Sequence, residues 1–430
     1  MEQLHQNMSP RVVLHFHVHQ PRRLASVASV DISKKKEIFD YDLDKEIISR
    51  VAQNCYFPAN HLLTRLVDKY PGVKLCFSLS GTLIDQLEEY QPRVLTDFRN
   101  LAQSGSVEFL GETYYHSLSS VVPNNEFIAQ VQEHSALMEH HLGYRPSVFR
   151  NTDLIYSTSI GSKIAQLGFK GVICDGAAEI VGDANPQQVY KLPTNPNCSI
   201  LFRNNSLSDD ITVRFTEGGR LDLEQYLQKI YGVPGDSVVV IGVDYELFGE
   251  HYPNSSGILD FLEKLIVSLH NDWEVKLATP SEVIQANTLS ETFDVHGIVS
   301  WANDSHNISR WLGNEMQCDA FKTLNDLEEK VMATQNKSII KTWRNLQSSD
   351  HFYYMSTKFS GKGEAAPLFS PYGSPYDAFI NYMNVLADFS SRLNDSQPVK
   401  ENNIIESERR HEDVPVWAQQ YASYVANTIG

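Results

Sequence analysis

"RVVLHFHVHQP" (residues 11–21) decides the fold. It is a β-rich run that passes directly into polar residues, and no Gly-x-Gly-x-x-Gly follows it. The phosphate-cradling turn of a doubly wound nucleotide-binding sheet is therefore missing where it would have to stand. Downstream, further β-rich runs at "VKLCFSLS", "SVEFLGE", "SVFRN", "GVICD", "SILFRN", "SVVVIGVDYE" and "EVKLAT" alternate with helical patterns up to about residue 280. That alternation marks parallel βα units. Leu62, Leu63, Leu66, Val67 and Tyr70 recur at helical spacing before Pro71-Gly72, and Ile160, Ile164 and Leu167 do so before Gly168, so each helix ends at a breaker. Eight candidate strands in about 270 residues predict a closed or nearly closed βα barrel.

Polar residues gather just after the apolar part of the strands: His17 to Gln20, Glu112 to His116, Asn151 to Asp153 and Asp244 to His251. In a barrel that rim is the active-site face. Helix caps also favour Asp, Asn and Thr at strand-to-helix turns, and for Thr152 or Asp153 taken singly capping is the simpler account. After about residue 290 the pattern lengthens into helical stretches such as "SRWLGNEMQCDAFKTLNDLEEKVM" and "SPYDAFINYMNVLADFSSRL". The expected organisation is a catalytic barrel domain over 1–290, a helical domain over 291–390, and a polar, aperiodic linker and tail over 391–430, whose last run "VWAQQYASYVANTIG" suits a short docking helix. The stretches "SDHFYYMS" (349–356) and "SPYGSPY" (370–376) are dense in aromatics, for core packing or for a sugar site.

A chain of 430 residues, 42% hydrophobic and 21% charged, has ample core for one large domain and a smaller companion. Lys+Arg 36 against Asp+Glu 53 leaves a net charge of −17, a field that repels phosphate backbones and anionic lipid, so nucleic acid is not an expected partner. Apolar runs such as "VVVIGV" (238–243) fall far short of the roughly 20 residues that span a bilayer, and no membrane helix is expected. The start "MEQLHQNMSPRVVLHFH" lacks the charged opening and continuous apolar core of a secretory signal. Five scattered cysteines (Cys55, Cys76, Cys174, Cys198, Cys318) include no C-x-x-C pair, which fits reduced thiols and a cytoplasmic location.

"VDYELFGEHY" (243–252) carries the strongest chemical signal, an apolar strand running into three acidic residues, a histidine and aromatics. In an extended strand Asp244 and Glu246 share a face, and two close carboxylates raise the pKa of one, giving a general acid near neutrality. The plain alternative is an exposed acidic turn. Glycosidic hydrolysis needs two carboxylates about 5 Å apart for retention or about 6.5 to 9.5 Å apart for inversion. Asp153 and Asp244, on separate strands, are the candidate pair, with Tyr114, Tyr115, Tyr245 and Trp301 as rings to stack on sugars. "LHFHVHQP" (14–21) competes, because His15, His17 and His19 point to one face of a strand. Such histidines suit a divalent metal with carboxylate ligands from later strands, or simply hydrogen bonds to carboxylates and sugar hydroxyls. No HExxH motif or cysteine cluster supports zinc, so neither metal nor cofactor is expected.

In order, His19-Gln20-Pro21, "GETYYHSL" (111–118), "FRNTDLIY" (149–156), "DYELFGEHY" (244–252) and "SWANDSHNISRWLGNEMQ" (300–317) resemble the five motifs of glycoside hydrolase family 57. "SDHFYYMSTK" and "SPYGSPYDAFINYMN" look like its α-amylase branch. Each motif alone is weak, but five in order over about residues 11 to 390 are specific. The resemblance implies an incomplete (β/α)7 barrel followed by helices, and retaining cleavage or transfer at the α-glucosidic bonds of an α-glucan. Seven strands against eight candidates puts one of them, "SILFRN" or "EVKLAT", outside the barrel. By the match Asp244 takes the general acid/base position and Asp153 the nucleophile position, while His17, His19, Glu112, His116, Tyr245, Glu246, His251 and Trp301 line the substrate pocket.

The family's nucleophile is a glutamate, and Asp153 is shorter by one methylene. It keeps the charge but withdraws the oxygen by more than about 1 Å, a displacement that costs on the order of 100-fold in rate, about 2.7 kcal/mol. Asn303 and Asn307 also stand where the amylase branch usually has acidic residues. Three functions stay open at this level: an active retaining enzyme, a glucan-binding protein with little or no turnover, and a metal-dependent hydrolase, such as a deacetylase, built on the histidine strand.

Overall fold

Alternation along the first strand separates an inside from an outside. The computed structural model describes residues 9–34, 37–216, 220–301, 306–358 and 370–396. Strand β1 (Arg11–Val18) sends Val12, Leu14, Phe16 and Val18 into one apolar cluster and Val13 into another. His15 and His17 continue the Val13 side, because strand side chains repeat every second residue.

The other strands are β2 (Leu75–Leu79), β3 (Val107–Leu110), β4 (Val148–Arg150), β5 (Gly171–Asp175), β6 (Tyr190–Leu192), β7 (Asn195–Arg203), β8 (Val238–Asp244) and β9 (Lys276–Leu277). Seven of them form a parallel path in the order β3-β2-β1-β8-β7-β5-β4. The ends of that path meet just past β3, where the Gly111 N–H donates to the Val148 carbonyl (2.9 Å) and the Arg150 N–H donates to the Gly111 carbonyl (2.8 Å). The result is a nearly closed seven-stranded βα barrel. Of the two runs suspected of lying outside it, "SILFRN" belongs to β7, within the barrel path, with Ile200, Leu201 and Phe202 all buried. "EVKLAT" contributes only the two-residue β9, which pairs with Arg11 and Val12 off the barrel path. β6, absent from the sequence reading, pairs antiparallel with β7.

β8 repeats the logic of β1. Val239, Ile241 and Val243 face the outer cluster and Val238 and Val240 the inner one, which leaves Gly242 and Asp244 on the inner face. Each buried aliphatic side chain contributes roughly 1.5–3 kcal/mol. The inner face is thus apolar at the strands' N-terminal ends and polar at their C-terminal ends. One glycine holds the loop beyond β8: Gly249 has φ +128°, and a Cβ there would lie 1.9 Å from the Asn54 carbonyl oxygen. Only glycine lets that loop close on the π-helical turn Ala52–Tyr56.

The described residues fall into two compact units. Among them the barrel unit takes the residues up to Pro21, those of Asp42–His116 and those of Glu126–Asn307, and the helical unit takes those of Arg22–Tyr41, those of Ser117–Asn125 and those from Ile308 onward. Contiguous boundaries at 290 and 390 do not capture the two excursions at 22–41 and 117–125 that cluster with the helices. Asn381 explains the first, since its Oδ1 accepts from the Val27 N–H (2.8 Å) and its Nδ2 donates to the Ala25 carbonyl (3.1 Å). The helical unit packs around Trp343, Phe352, Met355 and Tyr382, all buried. The Trp343 indole donates to the Leu324 carbonyl (3.0 Å) and the Tyr382 hydroxyl to the Leu346 carbonyl (2.8 Å), so neither polar group is stranded. "SDHFYYMS" therefore serves core packing. The last helix, Pro375–Ser396, runs past residue 390, and the rest of the expected tail lies outside the described residues. No helix among them is long and apolar enough to cross a membrane.

Candidate active site

Ser78 lies opposite His17 in the register of β1 and β2, and its Oγ is 3.0 Å from both His15 Nε2 and His17 Nδ1. On the other side of His17, Arg150 Nη1 approaches Nε2 at 3.3 Å. A guanidinium only donates, so His17 Nε2 accepts and its proton sits on Nδ1, directed at Ser78. Ser78 in turn has its hydroxyl proton for His15 Nε2. Both imidazoles are neutral: burial, then the Arg150 charge, pushes His15 down to about 3 and His17 well below its ordinary value.

His116 completes a stack of three rings, 5.0 Å from His17 and 4.0 Å from His19. Its Nε2 lies 3.7 Å from Asp153 Oδ2. Glu112, fully buried, has Oε2 3.6 Å from His17 Nδ1, and neither carboxylate oxygen has a hydrogen-bond partner. Burial raises its pKa to about 7. Its backbone is held by His134, which accepts the Glu112 N–H at Nδ1 (3.4 Å) and donates from Nε2 to the Leu79 carbonyl (2.7 Å).

His17, Glu112 and His116 offer ligand atoms within 4.8 Å of one another. A metal on His17 Nδ1 would require the opposite tautomer, with an Nε2–H facing Arg150, and would set a second cation beside that guanidinium. The three residues do not fit a divalent ion in this arrangement.

Asp153 follows β4 in the turn Thr152–Leu154 with φ 51° and ψ 29°, a left-handed conformation that Asp and Asn tolerate better than longer side chains. Neighbours pin the turn: Thr152 Oγ1 pairs with Thr113 Oγ1 (2.6 Å), and the Ser300 hydroxyl donates to the Asp153 carbonyl (2.7 Å). The turn has no side-chain cap, so capping does not explain these residues.

β8 ends at Asp244, the register partner of His17. The chain then enters the 3-10 turn Tyr245–Leu247, and Glu246 leaves the extended face expected for it. It is buried instead, accepting from the Tyr56 hydroxyl (2.6 Å) and the His19 N–H (3.3 Å). Its pKa rises to about 8, mainly through burial, with the Asp244 charge a smaller cause. The charges of Glu112, Asp153 and Asp244 all act on buried Arg150, opposing the burial that lowers its pKa. His251 feels Asp244 and Glu250 in the same sense, although burial lowers its pKa overall. Trp301 lies over the Arg203 guanidinium, 5.8 Å from it, and with His17, Arg150 and Asp244 lines a narrow cavity of about 30 Å³, room for about one water.

This disposition of the motif residues on a seven-stranded barrel has relatives. Residues 13–299 match the model of Glycosyl hydrolase family 57. The chain belongs to that family. A Methanocaldococcus jannaschii protein provisionally named an alpha-amylase is 34% identical over 88% of this chain and 84% of its own length. A branching enzyme from Thermococcus kodakaraensis has a similar fold (TM-score 0.61, 14% identity, 81% of this chain and 86% of that one). So does the alpha-amylase AmyC from Thermotoga maritima (TM-score 0.57, 14% identity, 91% and 95%).

Within this family 57 barrel, three rings expected to meet sugar have another role. Tyr245 is fully buried among Phe16, Phe77 and Phe98 and donates its hydroxyl to Asn60 Oδ1 (2.8 Å). It is a core residue, on the outer side that alternation from the inward-facing Asp244 assigns it. Tyr114 and Tyr115 are likewise buried, donating to Asp85 (2.8 Å) and Glu133 (3.2 Å), and they are not sugar platforms. Asn303 lies outside the described residues, while Asn307 is half-buried.

Sequence reasoning missed Arg150, Ser78, Tyr56 and the pair Asp175–His306. An arginine inside the short strand "SVFRN" and a serine inside "CFSLS" were available signals, since a polar side chain in a buried strand needs a partner. Tyr56 had none. His306 sits 3.4 Å from both Asp175 and Glu179, and the Asp175 carboxylate raises its pKa.

Proposed function

We propose that this family 57 chain is a retaining hydrolase or transglycosylase of α-1,4-glucans, with Asp153 as nucleophile and Asp244 as general acid/base, and that the short nucleophile slows it. The observation that carries the assignment is that His17, the register partner of Asp244, stacks on His116 at 5.0 Å, and His116 Nε2 lies 3.7 Å from Asp153 Oδ2. The relatives' names, alpha-amylase and branching enzyme, support an α-glucan. Free cysteines at all five positions support a cytoplasmic setting.

In the first step an Asp153 oxygen bonds to the anomeric carbon while the glycosidic C–O bond breaks and Asp244 gives its proton to the departing oxygen. In the second, Asp244 takes a proton from water or an acceptor hydroxyl, whose oxygen bonds to the anomeric carbon and releases Asp153. His116, 3.7 Å away, orients the Asp153 carboxylate. Glu112, fully buried with Oε2 3.6 Å from His17 Nδ1, backs the histidine that lines the site.

Product analysis with maltoheptaose tests this. Shorter or redistributed oligosaccharides with an α initial anomer are expected from the native protein, and none from Asp244→Asn. Undiminished turnover in Asp244→Asn would remove the acid/base role, and a β anomer would remove retention. Asp153 itself favours a second reading, a glucan-binding protein without useful turnover, because its carboxylate is withdrawn by one methylene. Binding of maltoheptaose with cleavage no faster than background would establish it.

A further inference from the structure

Away from the barrel mouth, a second cavity of about 450 Å³ is lined from the helices Phe57–Lys69 and Pro92–Gln103. That lies within the range of about 300–1,000 Å³ typical of small-molecule sites. Its wall holds one aromatic ring, Phe57, backed by the Arg93 guanidinium 5.7 Å from the ring centroid. Asn60, His61, Asp97 and Asn100 surround it with planar polar groups. Asn60 is only 1% exposed, its Oδ1 is taken by Tyr245, and its Nδ2 has no hydrogen-bond partner. A buried donor left in that state is destabilising unless a ligand or water accepts from it.

The lining selects a chemical class. Arg93 and Asp97 offset each other, so no excess charge recruits an ion. Amide, carboxylate, imidazole and guanidinium groups offer donors and acceptors side by side, as vicinal hydroxyls require, and the ring offers an apolar face. We propose that this cavity is a second saccharide site, holding a short segment of an α-glucan outside the catalytic cleft. The choice of α-glucan rests on the function proposed above. The site also touches the catalytic framework: Asn60 binds Tyr245, the residue after Asp244, and the parallel ring of Tyr56, 6.3 Å from Tyr245, carries the hydroxyl that donates to Glu246. A glucan anchored here steadies the wall behind the acid/base residue.

Hydrogen–deuterium exchange with maltotriose tests the proposal, in the Asp244→Asn background so that sugar is not consumed. Protection is expected at residues 53–64 and 93–100, and also at 149–156 in the cleft. Adding Arg93→Ala and Asn100→Ala, both exposed side chains, should weaken protection of the first two segments at least about 10-fold and leave 149–156 unchanged. Saturation of 149–156 with 53–64 and 93–100 unprotected overturns the second site alone. Protection at 53–64 and 93–100 that ignores the two substitutions also overturns it. Silence in all three segments overturns it together with the α-glucan reading, and protection of 53–64 and 93–100 with 149–156 silent supports the second site and counts against the catalytic one.

Discussion

His116 Nε2 stands 3.7 Å from Asp153 Oδ2, across a turn in which Asp153 holds φ 51°. The pairing explains how an aspartate serves there. Asp is at ease in the left-handed region, and its short reach leaves the carboxylate beside His116 instead of further into the cleft. Asp153→Glu restores the methylene and should raise kcat on maltoheptaose on the order of 100-fold. A longer side chain in that backbone conformation costs about 1 kcal/mol, seen as a fall in Tm of about 2–4 °C. Initial rates and a thermal scan check both halves, and a variant no faster than the native protein would mean that the missing methylene is not what limits it.

Ser78 ties His15 and His17 into one neutral network at 3.0 Å to each. Ser78→Ala removes the acceptor for the His17 proton and leaves two buried imidazole nitrogens short of a partner, a loss of about 1–3 kcal/mol. A lowered urea midpoint is expected, together with imidazole ¹⁵N shifts showing that His17 no longer holds a single Nδ1–H tautomer. Retention of that tautomer would show that Arg150 alone sets it.

Buried titratable groups shape stability against pH. Glu112 and Glu246 have pKa values raised from 4.5 to about 7 and about 8, so above pH 6.5 the native state keeps protons the unfolded chain has lost, and stability falls as pH rises. His15 and His134 are lowered from 6.5 to about 3 and about 4, and His17 well below 6.5. Below pH 6.5 the unfolded chain therefore binds more protons, three histidines against two carboxyls, and stability falls as pH falls. Denaturation midpoints at pH 5.5, 6.5 and 8 should peak near 6.5. Glu112→Gln should flatten the alkaline fall, and an unchanged slope would show that Glu112 titrates normally.

His306 sits 3.4 Å from both Asp175 and Glu179, in the segment whose Ser300 binds Asp153 and whose Trp301 lines the cleft. Asp175 raises the His306 pKa, so the ion pair is present at lower pH and lost as pH rises through that value. KM for maltoheptaose should rise on the alkaline side more than kcat falls. His306→Ala should raise KM about 10-fold at neutral pH, an effect of about 1.4 kcal/mol, and abolish the trend. Michaelis constants at several pH values decide it.

Much of the fold was legible because it is written locally. "RVVLHFHVH" and "SVVVIGVD" state their period in consecutive residues, so strand identity, the barrel class and the rim positions of His17, Glu112, Asp153 and Asp244 follow from spacing alone. The family motifs were equally visible, since each is a short contiguous run. Where a strand stops was less so: "EVKLAT" has strand composition but only two of its residues pair, because pairing depends on what lies alongside.

Roles that depend on the turn after a strand belonged to the tertiary structure. One 3-10 turn after Asp244 takes Glu246 off the inner face and against Tyr56, reversing what an extended chain would do with it, while Tyr245 stays in the outer core that alternation already assigns it. Arg150, Ser78 and Tyr56 entered the site through partners 133, 61 and 190 residues away. The sequence by itself determined a family 57 barrel, the positions of its candidate carboxylates, and a net charge of −17. Only the tertiary structure decided which histidine tautomer forms, which carboxyls keep a proton near neutrality and why an aspartate suits position 153, because each depends on burial and on charges that meet only when distant strands stand side by side.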